Sequence, residues 1–156
     1  MVKLAISAES WINQLAVPDV QLEGEGVMFR YLLFDLERSG VSKTILRGVN
    51  YQSYNADLEQ EIIRTTREEL QGHAFFEGGG QLNVKGGASV AYNPYYQTIK
   101  LFGTSSNYGA EEDREASAKL LECAYPECEV SWFNVEPNAR NSGTSESGMP
   151  PNNMEE

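Results

Sequence analysis

Hydrophobic and polar positions change period several times along this chain, and those changes predict its elements. Residues 27–36 (Val27-Met28-Phe29-Arg30-Tyr31-Leu32-Leu33-Phe34-Asp35-Leu36) are apolar on both alternating faces, the pattern of a central strand covered on two sides. Arg30 interrupts it, and a charge inside such a strand needs a partner or a pocket. Arg38-Ser39-Gly40 turns the chain, and residues 42–48 return as a second strand. The period then becomes helical. Leu58, Ile62, Ile63, Thr66 and Leu70 share one face of a predicted helix over 56–70. Asp57, Glu59 and Glu61 near its start and Arg64 and Arg67 further on suit the helix dipole, Asn55 suits an N-cap, and Gly72 a stop.

Residues 75–84 read as a strand kinked at Gly78-Gly79-Gly80, followed by a flexible connection through Gly86-Gly87-Ala88-Ser89 and Asn93-Pro94. A strand over 97–102 and a loop over 103–109 lead to a second helix, 111–124, with Ala116, Leu120, Leu121 and Ala124 as its buried stripe. Tyr125-Pro126 ends it, and 129–133 is the last strand. The expected fold is α+β: one domain, a mixed, largely antiparallel sheet with two packed helices. It divides as an N-terminal extension (1–16), the domain (17–134) and a disordered polar and acidic tail (135–156). Trp11, Ile12 and Leu15 fall on one face of a weak helical pattern, which either docks on the domain or meets a partner. The tyrosines of Asn93-Pro94-Tyr95-Tyr96 likewise either pack back on the sheet or face a partner.

Composition narrows the function. The 156 residues suffice for one ordinary core. Net charge is -11; four glutamates against Arg140 put -3 of it on residues 135–156 and leave -8 for the rest. A body that acidic repels phosphate backbones, so neither nucleic acid nor an anionic membrane is an expected partner. No apolar run could span a bilayer, and the N-terminus lacks the pattern of a secretory signal. Cys123 and Cys128 have no nearby histidine, the single His73 being far away in sequence; reduced thiols and a cytoplasmic setting are expected, with no metal.

Several short segments fall in a recognisable order: Val17-Pro18-Asp19-Val20, Gly26-Val27 with Phe29-Arg30-Tyr31, Arg47-Gly48, Tyr54-Asn55-Ala56-Asp57, Gly78-Gly79-Gly80, residues 102–109, and Tyr125-Pro126 with Glu129-Val130-Ser131-Trp132. No one of them is specific alone. In this order and spacing they resemble the Janus/Ocnus family of phosphohistidine phosphatase-like proteins, over about Val17 to Asn134, with the first sixteen residues, an insertion from Lys85 to Tyr95 and the tail outside the resemblance. The resemblance implies removal of phosphate from an imidazole nitrogen of a protein, without cofactor. It implies a phosphate cradle at Ser105, Ser106 and Asn107 just before the second helix, where backbone N–H groups meet a helix N-terminus. It places Arg30 at a family lysine, Arg47 at a family arginine and Gln81 where the family has an arginine.

It also places Asn55 at the family's catalytic histidine. An amide neither takes a proton near neutral pH nor accepts a phosphoryl group. His73 is a poor substitute, since a helix of about fifteen residues holds it roughly 20 Å from Asn55. Glu111, Glu112 and Asp113, in the predicted first turn after the cradle, would oppose a bound phosphate. The expectation is a pseudophosphatase that binds a protein, whether a phosphorylated protein or the subunits of an assembly. The alternatives are an active protein histidine phosphatase using another base, and a binder of phosphate-bearing small molecules.

Overall fold

A computed structural model describes residues 11–12, 15–52 and 57–133. Asn55 and the expected tail lie outside them, as does most of the N-terminal extension.

Six strands form one sheet: β1 (Val20–Glu23), β2 (Met28–Arg38), β3 (Val41–Asn50), β4 (Gln81–Asn93), β5 (Thr98–Phe102) and β6 (Glu129–Trp132), in the order β1-β3-β2-β4-β5-β6. The inner pairings β3–β2, β2–β4 and β4–β5 are antiparallel, and the edge pairings β1–β3 and β5–β6 are parallel. Helix α1 (Asp57–Gln71) follows β3, and α2 (Arg114–Ala124) follows β5. This is the α+β single domain that the periodicities predict.

Side chains alternate across a strand, so β2 feeds two cores. Leu32, Phe34 and Leu36 join Ile45, Ile62, Leu70 and Phe75 on the α1 face. Phe29, Tyr31 and Leu33 join Leu46, Val90, Leu101 and Leu121 on the α2 face. Each fully buried apolar side chain of this kind contributes about 1.5–3 kcal/mol. Trp11, Leu15 and Val17 complete the α1 core; the Trp11 ring lies 5.6 Å from that of Phe75, and its Nε1 donates to Arg38 O at 2.9 Å. The Trp11 side chain is therefore docked on the domain, not presented to a partner.

Three expectations change. Val20–Glu23 is a strand, paired in parallel with β3. Residues 72–79 are a series of turns, with Phe75 buried between α1 and the sheet. The glycines at 86 and 87, expected in a flexible connection, lie inside the 13-residue β4. Their role is close approach. A Cβ on Gly87 would lie 2.2 Å from Tyr31 O, and one on Gly86, at φ +129°, 2.5 Å from Glu111 N. The register of β4 against β2 shifts between Leu33 and Phe34, a bulge at this point.

Candidate functional site

The bare backbone of Gly87 receives the loop that follows β5. Ser105 N donates to Gly87 O, and Gly87 N donates to Gly109 O, both at 2.9 Å. The loop thus continues alongside β4 where β5 has ended, and a bridge between Ser105 and Gly109 closes it. Ser105 is buried beneath it, while Ser106 and Asn107 are exposed.

Beside this loop, on the α1 face, lies a carboxylate. Glu59, in the first turn of α1, is fully buried. Its Oε1 accepts from Ser105 Oγ at 2.8 Å and from Asn107 Nδ2 at 3.0 Å. Its Oε2 lies 3.9 Å from Arg30 Nε and receives no hydrogen bond from a described residue. Arg30 is 7 % exposed and donates from Nη1 to Thr104 O at 3.1 Å. The charge inside β2 is thus offset by a carboxylate from another element. The contact is long, and Arg30 also holds Thr104 O, so the arginine does not depend on Glu59 alone.

The loop's own donors are also engaged. Ser105 Oγ accepts from Asn107 N at 3.2 Å and from Tyr108 N at 2.9 Å, and Gly109 N donates to Ser105 O at 3.0 Å. A hydroxyl has one proton and two lone pairs; Ser105 Oγ uses all three. The hydroxyl holds the loop and has no lone pair left for attack.

The helix expected to follow directly begins later. Asp113 is the N-cap of α2, accepting from Glu115 N at 3.1 Å, so Arg114 is the first helical residue and Ser105–Asn107 lie well before it. The dipole acts chiefly within the first turn, so it does not serve this loop. Glu111, expected in that first turn, is instead buried on the α2 face. It accepts from Ser117 Oγ at 2.5 Å, from Arg114 Nη2 at 3.1 Å and from the Tyr31 hydroxyl. Burial first, and the Glu111 charge second, push the Tyr31 phenol well above its ordinary value. The buried stripe of α2 is Arg114, Ser117, Ala118 and Leu121, rotated from the expected one.

The remaining candidates fall elsewhere. Arg47 shares the α1 face with Arg30, but its guanidinium is committed. It pairs with both carboxylate oxygens of Glu69 at 2.9 Å and donates to Pro18 O at 2.9 Å and Leu46 O at 3.0 Å. A neighbouring depression of about 190 Å³ is lined by Gln21, Glu23, Arg47, Thr65 and Glu69, and not by Arg30, Glu59 or Ser105. Gln81 is exposed and pairs with Glu37, whereas Ser89, eight residues along the same strand, pairs with Arg30. At about 3.3 Å per residue that is roughly 26 Å, so the register keeps Gln81 away from the cluster. His73 is exposed in the turns beyond the C-terminus of α1, at the far end from Glu59.

Glu59 is the member that periodicity could have found. It stands three residues before Ile62 and seven before Thr66, on the buried stripe of Ile62, Thr66 and Leu70. An acidic residue on such a stripe marks either a partner or a pocket.

Among the described residues no three histidine, cysteine or acidic side chains gather as metal ligands, and no helix is long and apolar enough to cross a membrane. Cys123 and Cys128 are both free thiols.

Known proteins resemble this chain over most of its length. The 14 kDa phosphohistidine phosphatase of Sus scrofa is 24 % identical over 123 residues, covering 74 % of this chain and 89 % of that protein. The sex-regulated protein janus-A of Drosophila yakuba is 29 % identical over 112 residues, and that of Drosophila melanogaster 28 %; each alignment covers 71 % of this chain and 75 % of the relative. The family model described as Janus/Ocnus family (Ocnus) matches residues 14–129. This chain belongs to the Janus/Ocnus family.

Proposed function

We propose that this protein is a non-catalytic member of its family, a pseudophosphatase that serves as a protein-binding or structural subunit. The observation that carries the reading is the buried carboxylate of Glu59, which takes the donors of Ser105 and Asn107 and stands opposite Arg30. An internal anion there offsets the Arg30 charge beside the loop. It cancels most of the attraction that Arg30 alone would lend a phosphate, roughly 4 kcal/mol per unit charge at about 4 Å and an effective dielectric of about 20. Three further features support the reading: an asparagine at the position expected to hold the catalytic histidine, the commitment of Arg47 to Glu69, and the distance of Gln81. The opposing reading, an active protein histidine phosphatase, draws on the likeness to the pig enzyme and on the exposed Ser106 and Asn107.

The test is phosphate release from a phosphohistidine-bearing protein. The native chain should show no turnover above the spontaneous rate. Asn55→His alone should restore little, because Glu59 still opposes the phosphate; Asn55→His with Glu59→Gln should restore more. Turnover by the native chain that survives Asn55→Ala would overturn the proposal.

A further inference from the structure

Four large apolar side chains are exposed among the described residues, and three of them lie at one end of the sheet: Val27 (49 %), Tyr95 (84 %) and Tyr96 (71 %). Tyr92 N donates to Val27 O at 2.8 Å, which sets Val27 beside the end of β4, and Tyr95 and Tyr96 form the β4–β5 turn that follows. Scattered apolar exposure is ordinary; a cluster is not.

The turn is also ordered. Asn93 Oδ1 accepts from Tyr95 N at 2.9 Å and Tyr96 N at 3.1 Å, and Gln97 closes the turn at φ 55°. The two rings meet edge to face, with centroids 4.9 Å apart. Both residues stay largely exposed, so a partner meets rings already arranged.

Exposed carboxylates flank them on both sides. Glu25 precedes Val27 by two residues. On the other flank, Glu129 N donates to Gln97 O at 2.9 Å, and Glu127 lies two residues earlier; all three carboxylates are exposed. The lysine closest to the turn along β5, Lys100, lies inside the strand with its Nζ 5.9 Å from the Phe133 ring.

We propose that this end of the sheet is a docking surface for a basic segment of a partner protein. Arginine or lysine side chains of the partner stack on Tyr95 and Tyr96 and pair with Glu25, Glu127 and Glu129. A cation over an aromatic face with carboxylates at its rim is the arrangement that both attractions favour. The net charge of -11 draws such a partner in from a distance. The surface is separate from the loop at Ser105, and the proposal stands whether or not that loop turns over phosphate.

The probe is a fluorescein-labelled peptide of alternating arginine and glycine, titrated by anisotropy against the full chain at physiological salt. Tyr95→Ala/Tyr96→Ala should weaken binding about tenfold. Glu127→Gln/Glu129→Gln should weaken it and flatten its salt dependence. Glu37→Gln/Glu77→Gln, exposed acids outside this cluster, should stay within about twofold. Equal losses at both sites would reduce the binding to general charge attraction and overturn the proposal. An unchanged Tyr95→Ala/Tyr96→Ala would do the same, as would tighter binding of an uncharged proline-rich peptide, which would assign the surface to a different occupant.

Discussion

Among the described residues two carboxylates are buried, on opposite faces of one sheet, and they are held very differently. Glu111, on the α2 face, has both oxygens engaged, by the Tyr31 hydroxyl, Ser117 and Arg114. Glu59, on the α1 face, has one oxygen engaged and the other without a hydrogen bond from a described residue. The same loop runs between them: Gly103 O accepts from Arg114 at 2.9 Å and Thr104 O, the next carbonyl, from Arg30. One acid reaches the loop through Arg114 with both of its own oxygens hydrogen-bonded, although Arg114 Nε finds no partner among the described residues. The other acid meets the loop with one oxygen unbonded, the condition in which a buried charge costs stability. The contrast separates an acid bonded within the α2 face from one whose bonds go to the loop itself.

The contrast breaks most readily with the same substitution at both acids. Glu111→Gln should be the costlier, at about 3–5 kcal/mol in urea unfolding, because the amide cannot compensate Arg114, which is itself buried. Glu59→Gln should cost about 1–2 kcal/mol. Its carbonyl can keep Ser105 and Asn107, and Arg30 retains Thr104 O. Equal costs would mean that the two sites are alike and the contrast is false.

Alkaline stability sharpens it further. The Tyr31 phenol is raised in the folded protein, so above the unfolded value of about 10 the unfolded chain releases this proton first. The folded state then holds more protons, and stability falls as pH rises, by up to about 1.4 kcal/mol per pH unit until the folded value is reached. Below pH 10 the contribution is fully present. Tyr31→Phe should remove this component from the alkaline limb, measured as the difference between the two unfolding profiles from pH 9 to 11.5. Identical limbs would mean that burial and the Glu111 charge do not hold the Tyr31 proton in the folded state.

Much of this was legible along the chain. The doubly apolar run at 27–36 specified a central strand with a core on each side, because alternation alone decides which face each side chain takes. The helical stripe of Ile62, Thr66 and Leu70 specified α1 for the same local reason. Even the oddity of Arg30 was visible. What local pattern could not supply was its partner, 29 residues away on another element, or the opposite fates of two acids that read alike as helix-start charges. Gly86 and Gly87 read as flexibility, since a glycine needed for close approach differs from a loose one only in what lies against it. Tyr95 and Tyr96 stood equally for packing and for exposure until the β4–β5 turn carried them beyond the sheet. Periodicity determined the central strand, the face of α1 and the two cores; register and packing alone decided the course of β4, the face of α2 and which charges meet, because those contacts join segments whose spacing in sequence carries no information about their distance in space.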